Sequence, residues 1–488
     1  MSGQGEDIKR LRRSAASGAR WTALAQATRI VTLFVQLAFL GRLLGGATDF
    51  GLFAMINVVV VLGNAFGDAG VSKAIIHYQD ATRRELSSLY WLNLMAGALV
   101  FAIAWVLAPV IAGFYNEPRV LEPLRLAAWV FPLAAIGQQF QILMERSLRF
   151  QKLSLIEVFA VVVGAAVSVL CAWKGKGVHS LVWGMLTATG LKALLLAAFG
   201  WREWRPSLHF RPRECGRFLR FGAFQMGERL LNALGQQVDK VLIGAFMGPV
   251  LLGYYDLAYR LVVRPLQVIA PVFSRVGFPV FSKVQDDFDR LRKGFMEMLD
   301  VIVAMMPPLY AAMAVLAGPI VRIQLGPGYE PVIPLLRILS ILGFLYSLGT
   351  PMGSILLARG RADVAFYLNV LRTALFAGAV IIGSRFGVEG IAWALICAAV
   401  LVQVPVGFWI RWRLIGMTPW PYLRSVGVGL LLSGIVGAVS WLAVERVPWP
   451  GDVVLLAVVL PVAGLLYFGL ARWWFSARVA RLLTILRS

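Results

Sequence analysis

Some fourteen apolar runs, each long enough to cross a bilayer, succeed one another along this chain with only short connections between them. They centre on residues 21–43, 51–76, 88–113, 122–145, 153–173, 178–200, 221–246, 252–281, 298–321, 332–358, 364–384, 388–410, 422–443 and 452–473. About 20 apolar residues in a helix span the hydrocarbon of a membrane, so the pattern calls for an all-α polytopic membrane protein with about 14 transmembrane helices. Composition agrees: 59% of the 488 residues are hydrophobic and 15% charged, against about 45–50% and about 25% in soluble proteins. The longest polar stretches are the first 20 residues, 201–220 and 282–297, and none has room for a catalytic domain.

The net charge is +22, from 47 Lys and Arg against 25 Asp and Glu. In a soluble protein that balance would point to nucleic acid, but no basic tract here carries interleaved aromatics. Membrane proteins gather basic residues in their cytoplasmic loops, and alternate loops test the span count, because one wrong span would scramble everything after it. Of the Lys and Arg, 29 fall on the side of the N-terminal tail, in groups that begin at Lys9, Arg83, Arg146, Arg202, Lys283, Arg359, Arg411 and Arg472. The other side holds 7, namely Arg42, Arg119, Lys174, Lys176, Arg322, Arg385 and Arg446. Both termini are therefore expected in the cytoplasm. The remaining 11 lie inside spans, where function is to be sought.

Cys171, Cys215 and Cys397 are far apart and form no CxxC, so neither a disulfide framework nor a zinc site is indicated. The polar, basic start of the chain lacks a small-residue cleavage site and reads as a retained cytoplasmic tail, not a signal peptide.

An internal repeat organises the spans. GVHSLVW (177–183) and GVEGIAW (387–393) each open a span after a short basic loop, 210 residues apart. GRLLGGATDFGLF (41–53) and GAFMGPVLLGYY (244–255) lie 203 apart with one gap, and each joins a first span to a second. Two matches in the same order imply a six-span unit used twice. The expected organisation is a tail at 1–20, an N-lobe at 21–205 (spans 1–6), a C-lobe at 206–415 (spans 7–12), and two additional spans with a cytoplasmic tail at 416–488. An even unit makes the lobes parallel, with a substrate site expected at their interface. The equivalent first and second spans are spans 1, 2, 7 and 8.

Those four spans also carry polar stripes. Span 1 has Gln26, Arg29 and Gln36; span 2 has Asn57, Asn64 and Asp68. In span 7, Gln225, Arg229, Asn232, Gln236 and Asp239 recur every three or four residues beside Glu228 and Lys240, and in span 8 Asp256, Arg260 and Arg264 form a ladder in which one arginine can pair with the aspartate. A charge at the bilayer centre costs at least about 2.5–3.5 kcal/mol, so such residues face protein or water. Each stripe taken alone also reads as an interhelical clamp, which accounts well for Glu228, Asp239 and Lys240. Arginine in excess of nearby acid suits phosphate or an acidic sugar, because its planar fork donates in pairs and stays charged. The expected central-cavity residues are Arg29, Arg229, Arg260, Arg264, Arg372, Asn57, Asn64, Asn232 and Gln236, with Asp68, Asp239 and Asp256 for ion coupling or ion pairing.

Gln138, Gln139, Gln141, Glu145 and Arg146 read as a network that stabilises a lobe. Glu157, Lys192, Asp300 and Arg337 stand isolated and read as members of intramembrane pairs. His77, His179 and His209 fall in or beside loops without a second ligand, so no metal is assigned. No GxSxG, HExxH, P-loop or paired-carboxylate constellation appears; no catalytic residue or cofactor is expected, and the chain reads as a transporter rather than an enzyme.

Longer segments carry a resemblance. GRLLGGATDFGLFAM (41–55), FGDAGVSKAIIH (66–77), LYWLN (89–93), GQQFQILMERSLRFQKLSLIE (137–157), GYYDLAYRLVVRPLQ (253–267), RVGFPVFSKVQDDFDRLR (275–292) and GTPMGSILLARGRADVAFYLNV (349–370) resemble polysaccharide transporters of the oligosaccharidyl-lipid flippase family, the Wzx type of the MOP superfamily, and within it the colanic acid exporter group. The resemblance covers about 400 residues, most specifically 137–157 and 275–292. It implies a two-lobed, MATE-like fold and alternating access that carries an undecaprenyl-diphosphate-linked glycan across the bacterial inner membrane, among membrane lipids and alongside a polysaccharide polymerase. No site residue is carried over from it. Two rivals share the fold: a flippase for the lipid-linked peptidoglycan precursor, and a cation-coupled drug extruder, which would want an acid-rich cavity.

Overall fold

In hydrocarbon a backbone can bond only to itself, and the apolar runs are accordingly helices in the computed structural model. It describes residues 2–67, 75, 78, 80–284, 287–447 and 450–487, is 88% helical, and has no strand among the described residues. The helices are α1 (Ser2–Leu43), α2 (Ala47–Gly67), α3 (Arg83–Phe114), α4 (Leu121–Ala127), α5 (Val130–Arg146), α6 (Phe150–Trp173), α7 (Val178–Gly200), α8 (Gly216–Lys283), α9 (Phe288–Val315), α10 (Ala317–Gln324), α11 (Val332–Leu348), α12 (Thr350–Ala358), α13 (Ala362–Gly383), α14 (Gly387–Leu401), α15 (Gly407–Ile415), α16 (Pro419–Arg446) and α17 (Asp452–Arg487).

Among the described residues, twelve segments are long and apolar enough to cross a membrane. Two of them, Met226–Val268 with 43 residues and Asp363–Ile415 with 53, are each long enough for two crossings. The first breaks at Gly248 (φ 75°) and the second before Gly387 (φ 78°). Counted so, the crossings number fourteen, as the hydropathy pattern requires. The fourth is not one helix: α4 stops and α5 starts afresh, because Pro132 has no N–H to give the Ala128 carbonyl, which takes the Phe131 N–H instead.

Both repeat matches have a geometric cause. Gly46 (φ 129°) and Gly248 (φ 75°), and likewise Gly177 (φ 52°) and Gly387 (φ 78°), occupy left-handed backbone where a helix restarts, a conformation that favours glycine. Gly51 and Gly253 then bring backbones together reciprocally. A Cβ on Gly51 would lie 1.7 Å from the Pro249 oxygen, and one on Gly253 would lie 1.9 Å from the Ala47 oxygen.

The chain forms two compact units, Met1–Gly253 and Tyr254–Ser488. In the first, α6 packs along α1 and α7, and α5 along α3 and α7. Its polar core residues bond across helices: Asn93 Nδ2 donates to the Ala135 oxygen (3.2 Å) and to Gln138 Oε1 (3.4 Å), and Gln139 Nε2 to the Leu86 oxygen (3.5 Å). Through Gln138 and Gln139 the glutamine cluster joins α5 to α3, while Gln141 donates to Glu145 within α5 at 2.8 Å. Residues 201–215 fold over the start of α3, where Trp91 Nε1 donates to the Ser207 oxygen (2.8 Å) and the backbone N–H groups of Ser207 and Arg211 donate to the hydroxyls of Ser87 and Ser88.

In the second unit α9 packs along α11 and α16. The buried Asp300 carboxylate of α9 accepts a hydrogen bond from Ser425 of α16. Arg322 clamps α10 to α17 through two bonds of 2.7 Å to Asp452.

Candidate functional site

The first unit holds seven of the expected site residues in view. On α1, Arg29 is exposed, with Gln26 and Gln36 half-buried, and by helical spacing Arg29 points away from the exposed apolar stripe of Leu24, Val31 and Val35. On α2, Asn57 is half-buried and Asn64 exposed, two turns apart on one face. Asp68, the third member of that stripe, lies outside the described residues, as does the side chain of Gln225.

The first part of α8 divides its stripe in two. Arg229 and Asn232 are half-buried and Glu228 and Gln236 exposed, and Asn232 Nδ2 donates to the Glu228 carbonyl at 3.0 Å. One turn further on, Gln237, Asp239 and Lys240 are buried in packing. Asp239 accepts the Lys240 backbone N–H at 2.8 Å, an arrangement that fits an internal structural role better than contact with a ligand.

Beyond Gly248 the same helix carries the ladder of the second unit. The i,i+4 spacing lets Arg260 pair with Asp256, and in the structure its Nε reaches Oδ2 at 2.5 Å. The Asp256 side chain is fully buried, while 25% of the Arg260 side chain stays accessible. Arg264 is half-buried on the same face. On α13, Arg372 is half-buried and donates from Nη2 to Asn369 Oδ1 at 3.1 Å, a partner that sequence spacing did not single out.

One charge turns out differently from the sequence reading. Arg411, counted among the loop cations, is 1% exposed. Its guanidinium lies 4.7 Å from the Phe408 ring and 4.2 Å from the Tyr422 ring, and Nη2 donates to the Gln403 oxygen at 3.1 Å. That carbonyl lies in a π-helical turn at Val402–Val406, where Pro405 lacks an N–H. Glu157 and Lys192, isolated in sequence, meet across α6 and α7 at 2.7 Å. No periodicity within one helix pairs residues 35 apart.

Outside the spans, His209 has a partner after all, with Nε2 at 3.0 Å from both Glu214 oxygens. That bond holds the Glu214 carboxyl below its ordinary range, and the Arg217 guanidinium does the same for Asp80. Among the described residues no three His, Cys, Asp or Glu gather as metal ligands.

A chain helical through its described residues, with this many crossings and charged stripes inside them, is a multi-pass membrane protein. Its fold is similar to that of Lipid II flippase MurJ in an inward closed conformation, with a TM-score of 0.76 at 14% identity over 94% of this chain and 99% of that one. The chain belongs to the family described as Polysaccharide biosynthesis protein, which matches residues 39–334. It is 34% identical to Teichuronic acid biosynthesis protein TuaB of Bacillus subtilis (strain 168), over 87% of this chain and 88% of that one. It is 30% identical to Lipopolysaccharide biosynthesis protein WzxC of Escherichia coli (strain K12), over 87% and 86%.

Proposed function

We propose that the chain is a flippase that moves an undecaprenyl-diphosphate-linked oligosaccharide from the cytoplasmic to the outer face of a bacterial inner membrane, by alternating access, for surface polysaccharide assembly. A glycan and a diphosphate cannot shed their hydration to cross roughly 30 Å of hydrocarbon. Polar faces on the crossing helices replace that hydration while the lipid tail stays in the bilayer. The observation that carries the reading is the set of accessible arginines inside apolar crossings, Arg29, Arg229, Arg260, Arg264 and Arg372, in a chain of the polysaccharide biosynthesis family. Guanidinium groups recognise phosphate by paired donors, whereas a drug extruder for cations would present acids.

In this reading both termini lie in the cytoplasm, Asn57, Asn64, Asn232 and Gln236 meet the sugar hydroxyls, Asp68 serves ion coupling, the product passes to a polymerase, and no bond is made or broken. A strain lacking the gene should accumulate lipid-linked repeat units on the cytoplasmic side and lose its surface polysaccharide. Restoration by the wild-type gene but not by Arg264→Ala, at equal protein level, is the expected result. Normal polysaccharide in the deletion strain would overturn the reading.

A further inference from the structure

The pair formed by Glu157 and Lys192 takes no part in the stripes above. Glu157 is the eighth residue of α6 and Lys192 the ninth from the end of α7, so at 1.5 Å per residue both sit about 12 Å from the helix ends that border the basic loops. Arg29, the ninth residue of the first crossing, lies at the same depth.

The lipid-facing side of α6 is marked by its most exposed apolar residues, Leu155, Phe159, Val162, Leu170 and Trp173. At 3.6 residues per turn these fall on one stripe, and Glu157 stands on the opposite side of the helix. On α7, Trp183 and Leu194 are exposed on the side opposite Lys192, and Phe199, nearer the basic end, is exposed on its own side. A residue so placed is ordinarily sealed against the next helix, yet the Glu157 and Lys192 side chains keep 38% and 31% of their surface accessible.

The α6–α7 seam explains why. At Gly164 and Gly184 the backbones touch: a Cβ on Gly164 would lie 2.7 Å from the Gly184 oxygen, and one on Gly184 would lie 2.8 Å from the Gly164 oxygen. Two turns nearer the basic ends, two long side chains, Glu157 and Lys192, meet across the same seam and stay partly accessible. An ion pair at this depth, turned from lipid and accessible, defines a polar cleft within the first unit.

We propose that Lys192 is an anion-binding residue in this cleft, taking a phosphate oxygen of a lipid diphosphate, and that Glu157 is the counter-ion the ligand displaces. The proposal rests on the diphosphate substrate of the proposed function. Lys192 donates one bond, to Glu157 Oε1 at 2.7 Å, and an ammonium has three donors. Exchanging the carboxylate for a phosphate oxygen keeps the ammonium paired at each stage, so no bare charge is exposed to the low-dielectric interior. Return of Glu157 then favours release.

The test measures farnesyl diphosphate binding to the full-length protein in detergent, with farnesol as the uncharged control. Lys192→Met should weaken binding about tenfold, the loss of one charge-assisted bond. Lys192→Arg should keep most of the affinity, and Glu157→Gln should tighten binding by removing the competitor, which a purely structural pair would not do. If Lys192→Met does not fold, the double variant Glu157→Gln with Lys192→Met leaves no bare charge and should show the same loss. Wild-type affinity in Lys192→Met or in the double variant, or weaker binding in Glu157→Gln, overturns the proposal alone. Failure of the wild-type protein to prefer farnesyl diphosphate over farnesol overturns it together with the diphosphate reading.

Discussion

The two units treat an acid and a base inside the membrane in opposite ways. In the first, Glu157 and Lys192 sit on different helices and remain a third exposed. In the second, Asp256 and Arg260 sit one turn apart on one helix, with the carboxylate wholly buried. The difference lies in what happens when one partner goes. Removal of one member of a buried pair strands a charge that has no water to turn to, whereas an accessible pair is solvated in part already. A buried carboxylate therefore depends on its partner for stability more than an accessible one does.

The largest expected effect tests that contrast directly. Arg260→Met strands the Asp256 carboxylate and should cost about 3 kcal/mol, read as a lower melting temperature in detergent. Lys192→Met leaves a carboxylate that water reaches and should cost about 1 kcal/mol or less. Equal losses would erase the distinction between the two pairs.

A smaller change sharpens the comparison by moving the seam. Gly164→Ala places a methyl group against the Gly184 backbone and the Ala188 side chain, and overpacking of this kind costs about 1–3 kcal/mol. If the Gly164–Gly184 contact sets how far the seam opens, Lys192 should react faster with a water-soluble amine reagent in this variant. An unchanged rate would place the origin of the cleft elsewhere.

The smallest effect belongs to pairs outside the membrane. Hydrogen bonding to His209 lowers the folded-state value of Glu214, so its contribution is complete above the unfolded value of about 4.3 and fades as pH falls through the lower folded one. Hydrogen-exchange protection of residues 201–215, corrected for intrinsic rate, should hold from neutral pH to about pH 5 and decline only under stronger acid. Loss of protection near neutrality would assign the docking of this segment to another group.

The sequence alone determined the helical class, the fourteen crossings and the repeat, because hydropathy and handed backbone are local. A run of apolar residues needs lipid wherever it stands, and Gly46, Gly177, Gly248 and Gly387 each supply the positive φ at which a helix restarts. It also determined which residues share a helical face, including the Asp256–Arg260–Arg264 ladder. Only the tertiary structure decided which charges are shut in and which stay open. Arg411 reads as a loop cation until Phe408 and Tyr422 close over it, and Glu157 finds Lys192 only when glycines let the backbones of α6 and α7 meet. Exposure belongs to the space between helices, and the spacing of residues along one helix carries no record of how far away the next helix lies.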